Sequence, residues 1–200
     1  MLVRTLVSEA HPTRTHEDYQ IGVICALATE KAAMVAMLDE THPKLEKENG
    51  DDNEYTLGRI GSHNVIIACL PAGLIGSGRA AIVANNMRRS FPIKFGLMVG
   101  IGGGVWSKKH DIRLGDVVVS QPMGTHGGVV QWDFGKIEKD GNFQRTGSLD
   151  KPPPALLYAL QELKTFDITD GINLEESLSL MVQNKPRMGQ TYRYQGADHD

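Results

Sequence analysis

The sequence predicts an α/β domain built around a mainly parallel central sheet. Three observations predict this class: near-continuous apolar runs, helical stretches with one apolar face between them, and glycine-rich loops that directly follow the runs. A run that is apolar at every position is typical of a strand buried on both faces. In such sheets the ligand lies beyond the carboxyl ends of the strands, so function is sought first in the loops there.

The elements of the first half follow from these patterns in order. A tight turn joins two of the strands, and a serine in a glycine-rich loop is expected to cap the second helix. The predicted elements are a strand at 21–27, a helix at 29–38, strands at 54–60 and 64–70, a helix that Ser77 caps and that runs to about Arg89, and a strand at 95–99.

The second half carries shorter apolar segments. They predict a strand at 117–119, a hairpin arm at 129–134, and helices at about 155–164 and 173–183. Alternation along the hairpin arm places Trp132 and Phe134 on one face, where we expect core packing rather than stacking on a purine.

The two ends of the chain differ from its body. Residues 1–18 are expected to form a flexible leader, because Arg4 interrupts the apolar start that a secretory signal needs. The domain itself is therefore expected to span residues 19–200, although the last residues are polar and show no periodicity.

The composition excludes several classes of function. Lys and Arg number 21 against 24 Asp and Glu, and the formal net charge of −3 does not favour a nucleic-acid partner. No apolar stretch approaches the roughly 18 residues of a membrane span, so no membrane partner is expected. Two cysteines in apolar runs do not suggest a disulfide framework, and seven histidines show no metal-ligand spacing. We expect a cytoplasmic protein with no metal and no cofactor.

The glycine-rich loop 100–104 has four glycines in five residues. It is not a dinucleotide-binding fingerprint, because residues 105–112 have no helical face to follow it. Such a loop permits close approach of the backbone to a flat ligand or, equally, a tight crossing of strand ends.

A second loop offers a site for an anion. Gly76, Ser77, Gly78 and Arg79 precede a predicted helix, whose free N–H groups can bind a negative charge. The loop lacks the Gly-Lys-Ser/Thr ending of a P-loop, and plain helix capping is the alternative interpretation.

Glu30 is the candidate acid. It follows the first predicted strand and stands in the first turn of a helix, with apolar residues on both sides. One interpretation is an acidic residue favoured by the helix dipole, and the other is a carboxylate that takes a proton from water. Position alone leaves both open.

Three motifs, in this order, give the chain a family resemblance. The segments Ile21-Gly-Val-Ile-Cys-Ala-Leu-Ala-Thr-Glu30, Gly100-Ile-Gly-Gly-Gly-Val105 and Arg113-Leu-Gly-Asp-Val-Val-Val-Ser120 resemble successive signatures of the nucleoside phosphorylase/nucleosidase superfamily. This superfamily includes purine and uridine phosphorylases and methylthioadenosine/S-adenosylhomocysteine nucleosidases. The resemblance covers about residues 19–163. It implies a three-layer α/β/α domain with a central mixed, mainly parallel sheet, which cleaves N-glycosidic bonds of purine or pyrimidine nucleosides.

Two further segments, 96–104 and 127–136, are similar to a fungal branch of this superfamily. In that branch the domain is found at the amino end of proteins that contain NACHT, ankyrin or TPR regions. The expected partner is therefore a small-molecule nucleoside or nucleotide.

Departures from the phosphorylase pattern favour hydrolysis over phosphorolysis. Phosphorylases hold phosphate with an Arg in the first loop and an Arg and a Ser in the second, and the matching positions here are Glu30, Met98 and Ile101. An anion needs donors and positive charge, which these side chains do not supply. Nucleosidases instead place a Glu at this position, where it activates water. The resemblance implies nucleosidase-type hydrolysis of a purine nucleoside or nucleotide, with Glu30 catalytic and the nucleoside held at Gly102, Gly103 and Gly104.

Two parts of the family's machinery have no counterpart here. Between Thr165 and Asp200 nothing resembles the general acid that protonates the leaving base, or the carboxylate that grips the ribose. We therefore expect a carboxyl-terminally incomplete domain with little activity as given, and a homo-oligomer formed through an unpaired sheet edge. Two alternatives stay open: a phosphate-dependent phosphorylase that uses Arg79 or Arg113, and a non-catalytic nucleoside-sensing or interaction module.

Overall fold

A computed structural model of the chain describes residues 14–108 and 110–192. Within these residues the chain forms two compact units, one of residues 14–103 with 177–192 and one of residues 104–176. Most of the predicted leader, residues 1–13, lies outside the described residues. The rest of it includes a 3-10 turn at His16–Asp18. The domain boundaries given above stay a prediction.

The first unit is built on a five-stranded mixed sheet. Its strands are β1 (Ile21–Cys25), β2 (Glu40–Thr41), β3 (Thr56–Ile60), β4 (His63–Cys69) and β5 (Phe95–Met98), and their order in the sheet is β2-β3-β4-β1-β5. The first strand in the chain is thus an inner strand, paired in parallel with β4 on one side and β5 on the other, while β3 pairs antiparallel with β2 and β4. The α/β class is confirmed.

Helices cover the two faces of this sheet. Helix α1 (Ala28–Ala36) packs through Met34 and Val35 on the face that carries Val65 and Ile67. Helix α2 (Ser77–Ser90) packs through residues such as Met87 on the opposite face, with Ile66. β4 is thus buried on both faces, which is why its sequence reads as a continuous apolar run. The phosphorylase-like three-layer fold as a whole stays a prediction.

The start of α2 differs from the prediction. Ser77 does not cap the helix but is its first residue, and the N-cap is Gly76 with φ +97° and no side-chain hydrogen bond. Few residues other than glycine adopt this backbone conformation at low cost. The prediction failed because the turn is made by the backbone of Gly76 rather than by a side-chain hydroxyl.

The second unit contains a hairpin and a helix. The hairpin strands are β6 (Gly135–Ile137) and β7 (Phe143–Arg145), and the helix is α3 (Pro154–Thr169). The predicted strand at 117–119 and the hairpin arm at 129–134 are wrong, because the first pairs with no strand among the described residues and the hairpin starts only at Gly135. Trp132 and Phe134 are 80% and 54% exposed, so their predicted core packing is wrong as well.

The remaining helices are α4 (Leu174–Asn184) and α5 (Pro186–Thr191). The first agrees with the predicted helix, while the second falls partly in a segment expected to be irregular. Among the described residues, no helix combines the length and the apolar character that a membrane crossing requires.

Candidate functional site

The carboxyl ends of β4, β1 and β5 lie side by side at one edge of the first unit's sheet, because the three strands are parallel neighbours. Backbone hydrogen bonds continue past the strand ends: Leu70 N–H donates to the Cys25 carbonyl at 3.0 Å, and Val99 N–H donates to the Ile24 carbonyl at 3.1 Å. We call this the carboxyl edge. The loops that leave it carry Glu30, the glycines from Gly100 onward and the start of α2.

Glu30 is the buried acid of the carboxyl edge. Its side chain turns back from the first turn of α1, and the residue is only 6% exposed. Its Oε2 accepts hydrogen bonds from the N–H groups of Ala26 and Leu27, both at 2.8 Å. Its Oε1 accepts one from the N–H of Ile101, also at 2.8 Å. One carboxylate therefore joins the loop after β1 to the loop after β5.

These contacts decide the charge of Glu30. The hydrogen bond from Ile101 lowers the pKa of the carboxyl group, burial acts in the opposite direction, and the bonds from Leu27 and Ala26 lower the pKa further. The net effect is a pKa below the ordinary value of 4.5. Glu30 is therefore charged at neutral pH and is a weaker base than an exposed glutamate.

Gly100 makes room for this carboxylate. A Cβ at Gly100 would lie 2.9 Å from Glu30 Oε1, closer than real Cβ contacts come. Sequence reasoning did not find this role, although the signal was present. A glycine directly after one parallel strand lies next to an acid that follows the neighbouring strand.

The three glycines expected at the nucleoside differ from one another. Gly102 and Gly103 are exposed, and a Cβ on either would meet no atom within 4 Å. Neither has a positive φ, so no contact or dihedral in the described chain requires glycine there. Gly104 belongs to the second unit, where a Cβ would lie 2.9 Å from Ile112 Cγ2, and packing accounts for it.

The candidate anion site lies at the start of α2. Gly76, Ser77, Gly78 and Arg79 are all exposed, and α2 follows β4, so they belong to the same edge of the sheet as Glu30. No ion pair is formed by Arg79 with any described residue. Among the described residues, no hydrogen bond or ion pair joins these four residues to Glu30 or to the glycine loop.

Arg113, the other arginine considered for a phosphate site, is not part of the first unit. In the second unit Arg113 donates to the Asp111 carboxylate through Nε at 3.0 Å and through Nη2. Within residues 14–108 and 110–192, no group of three or more His, Cys, Asp or Glu side chains has a geometry that could hold a metal ion.

The chain was also compared with known proteins. No family model matches it, and no solved structure matches it significantly. It is 52% identical over 155 residues, or 76% of its length, to a protein of Hyaloscypha variabilis (strain UAMH 11265 / GT02V1 / F) named "Nucleotide-binding leucine-rich repeat (NLR)-like protein". The chain spans about 15% of the length of that relative. Most of this sequence is thus similar to a small part of a much longer NLR-like protein.

Proposed function

We propose that the chain binds a purine nucleoside or nucleotide at the carboxyl edge, in a domain of the three-layer nucleoside phosphorylase/nucleosidase type. We further propose nucleosidase-type hydrolysis of the N-glycosidic bond as its chemistry. The observation that carries the proposal is the buried, charged carboxylate of Glu30. It is hydrogen-bonded to the loop that contains Gly102 and Gly103, and no contact or dihedral angle within the described chain requires glycine at these two positions.

The charge on Glu30 suits this chemistry. Cleavage of a glycosidic bond develops positive charge on the sugar ring, which a fixed carboxylate stabilises. A carboxylate offers about four acceptor positions. Backbone amides occupy three of them in Glu30, so one remains for a ribose hydroxyl or the attacking water.

The surroundings favour hydrolysis over transfer to phosphate. Met98 and Ile101 take the positions at which phosphorylases offer phosphate-binding side chains, and both are exposed apolar residues. Arg113 is engaged with Asp111, which leaves Arg79 as the remaining cationic candidate. One exposed arginine is a weak basis for a phosphate site.

A second candidate is a nucleoside-sensing module without catalysis. Two observations favour it: the low pKa of Glu30 makes it a poor proton acceptor, and the relative is named as an NLR-like protein. The words "nucleotide-binding" in that name describe the whole relative, of which the chain spans about 15%. In this alternative the ligand binds at the same edge and leaves unchanged.

Binding is tested by calorimetric titration of the 200-residue chain with adenosine, methylthioadenosine and ATP. Gly102→Val should abolish binding without changing the melting temperature. Gly96→Val is the matched control, because a Cβ at Gly96 also meets no atom within 4 Å. The proposal is wrong if none of the three ligands binds, or if both variants bind as the wild type does.

Adenine release, assayed with and without phosphate, separates the chemistries. Release that needs no phosphate and is lost in Glu30→Gln supports hydrolysis, whereas binding with an intact ligand supports the sensing module. Release that depends on phosphate contradicts both.

A further inference from the structure

The two cysteines of the chain are direct neighbours in the sheet. Cys25 ends β1, Cys69 ends β4, and the two residues are register partners. Adjacent strands lie about 4.8 Å apart. A disulfide needs Cα atoms roughly 4.4–6.8 Å apart, so this pair falls within range. Both side chains belong to the cluster on the α1 face of the sheet, with Val23 and Ile67.

The two thiols differ in their access to solvent. Cys25 is 0% exposed, whereas Cys69 is partly exposed, and both are free. Burial, together with a smaller contribution from Cys69, raises the pKa of the Cys25 thiol to about 11. Cys25 therefore stays protonated and shielded, while Cys69 is the thiol that a small oxidant reaches first.

A lysine stands beside the pair. Lys31 is half-buried, and its Nζ donates to the backbone carbonyl of Glu54 at 3.0 Å. Burial lowers the pKa of Lys31, while the sulfurs of Cys69 and Cys25 act in the opposite direction. The positive charge of Lys31 thus acts on the same part of the first unit as the two sulfurs.

We propose that Cys25 and Cys69 form a peroxide-sensitive dithiol whose oxidation joins β1 to β4 through an intramolecular disulfide. In the first step Cys69 sulfur attacks hydrogen peroxide, the O–O bond breaks, and Cys69 sulfenic acid and water form. In the second step Cys25 sulfur attacks the Cys69 sulfur, its proton leaves with the hydroxyl as a second water, and the disulfide closes. One peroxide is reduced and two thiols are oxidised.

The position of the pair connects it to the carboxyl edge. Ala26 and Leu27, whose N–H groups bind Glu30, follow Cys25 directly. A disulfide at Cys25 would constrain the strand end from which this loop leaves. The inference does not depend on nucleoside binding, because it rests only on the register and exposure of the two thiols.

The test is peroxide treatment of the full chain. The protein is exposed to submillimolar hydrogen peroxide, quenched with catalase, blocked with iodoacetamide under denaturing conditions and weighed by intact mass spectrometry. We expect the wild type to lose two hydrogen atoms and take up no blocking group. Its melting temperature should rise and return to the starting value after reduction.

Two variants identify the order of attack. Cys25→Ser should accumulate a Cys69 sulfenic acid that dimedone traps, whereas Cys69→Ser should keep a blockable Cys25 thiol at the same dose. A wild type that retains two blockable thiols overturns the proposal, as does a covalent dimer through Cys69. So does the absence of a dimedone adduct in Cys25→Ser and in Cys25→Ala, each with a cooperative melting transition.

Discussion

Glu30 stands at the third position of α1, where a carboxylate can turn back to the amides that precede a helix. Here the same carboxylate also reaches Ile101, 71 residues further along the chain. One side chain thus combines a local capping contact with a long-range contact. Its loss should destabilise both the loop after β1 and the loop after β5.

Replacing Glu30 with Gln should destabilise the first unit by about 1–3 kcal/mol, because the amide NH₂ must face at least one N–H donor that then has no acceptor. Urea unfolding followed by far-UV circular dichroism measures the change, and hydrogen exchange at the Ile101 amide should accelerate. Glu54→Gln is the control, since its pairs with Lys44 and Lys47 are solvent-exposed. Equal effects of the two substitutions would contradict the structural role of Glu30.

His42 is a second buried titratable residue. Its Nδ1 and the Tyr19 hydroxyl share a hydrogen bond of 2.8 Å, while its Nε2 has no hydrogen-bond partner within the described part of the chain. Burial lowers the pKa of His42 below 6.5, and Arg14 acts in the same direction against Glu40. The folded state therefore holds the neutral imidazole.

This arrangement predicts a dependence of stability on pH. The contribution of neutral His42 is fully present above pH 6.5, its ordinary pKa, and is lost as the pH falls through the lower pKa of the folded state. The free energy of unfolding should thus fall between pH 7 and about pH 5. In His42→Gln this part of the slope should disappear, whereas the exposed His63→Gln should keep it. Parallel pH profiles for all three proteins would refute the assignment.

At the scale of elements, Gly100 decides whether the loops after β1 and β5 can meet. Gly100→Ala should cost about 1–3 kcal/mol, because the new methyl group displaces the Glu30 carboxylate from the Ile101 amide. Gly103→Ala, at an open position of the same loop, should leave the thermal midpoint unchanged. In combination with Glu30→Ala, the Gly100 substitution should cost less than it does alone.

The long connection between β2 and β3 is held to the end of α2 by Asp51. Its carboxylate accepts hydrogen bonds from Ser90 Oγ at 2.5 Å, Tyr55 OH at 2.7 Å and the Asn53 N–H at 2.9 Å. Burial raises the pKa of Asp51, but these three hydrogen bonds outweigh it, and the pKa lies below the ordinary value.

Removing this carboxylate should therefore loosen the connection. Asp51→Ala should lower the free energy of unfolding by about 2–4 kcal/mol, since two buried donors and the half-buried Tyr55 hydroxyl lose their acceptor. Asp52→Ala, at the exposed neighbouring position, is the control and should have little effect. The comparison uses urea midpoints at one pH, and equal midpoints for the two variants would show that the buried contacts do not contribute.

The elements of the first unit could be predicted because the sequence pattern of each one and the contacts around it favour the same secondary structure. A run such as residues 21–25 finds partners on both sides and helices on both faces, so local pattern and tertiary environment agree. In the second unit the alternation at residues 129–134 is equally clear, yet it forms no strand. A ladder partner is a property of the whole fold, and alternation alone does not supply one.

Only part of the candidate site could be predicted from the sequence. Topology follows from the parallel strands, so the loops of Glu30 and the glycines were expected at one edge. The three amides on Glu30 and the space that Gly100 leaves depend on distances of a few tenths of an ångström, which no spacing rule gives. The adjacency of Cys25 and Cys69 needed the register of β1 with β4, which was not among the predictions.

At the scale of the whole molecule, the two units differ in how they bury apolar residues. The buried hydrophobic residues of the described chain all lie in the first unit. Trp106 and Trp132, the chain's two tryptophans, both belong to the second unit and are 65% and 80% exposed.

This difference predicts the fluorescence of the protein. Native emission should lie close to that of indole in water and should shift little in urea, while far-UV circular dichroism reports unfolding of the first unit. Trp132→Ala should change the free energy of unfolding by less than about 1 kcal/mol, as expected for an exposed site. A blue-shifted native emission, strongly protected from acrylamide quenching, would contradict the exposure of these residues.

The inner position of β1 also bears on synthesis of the protein. Its register partners begin at Val65 in β4 and at Phe95 in β5, so Ile21 leaves the ribosome about 44 and 74 residues ahead of them. At a translation rate of roughly 5–20 residues per second, the first residues of β4 emerge about 2–9 s after those of β1. During that interval the most apolar strand of the nascent chain has nothing to pair with. The yield of the folded protein in a cell should therefore depend on holdase chaperones, which would cover β1 until β4 has been made.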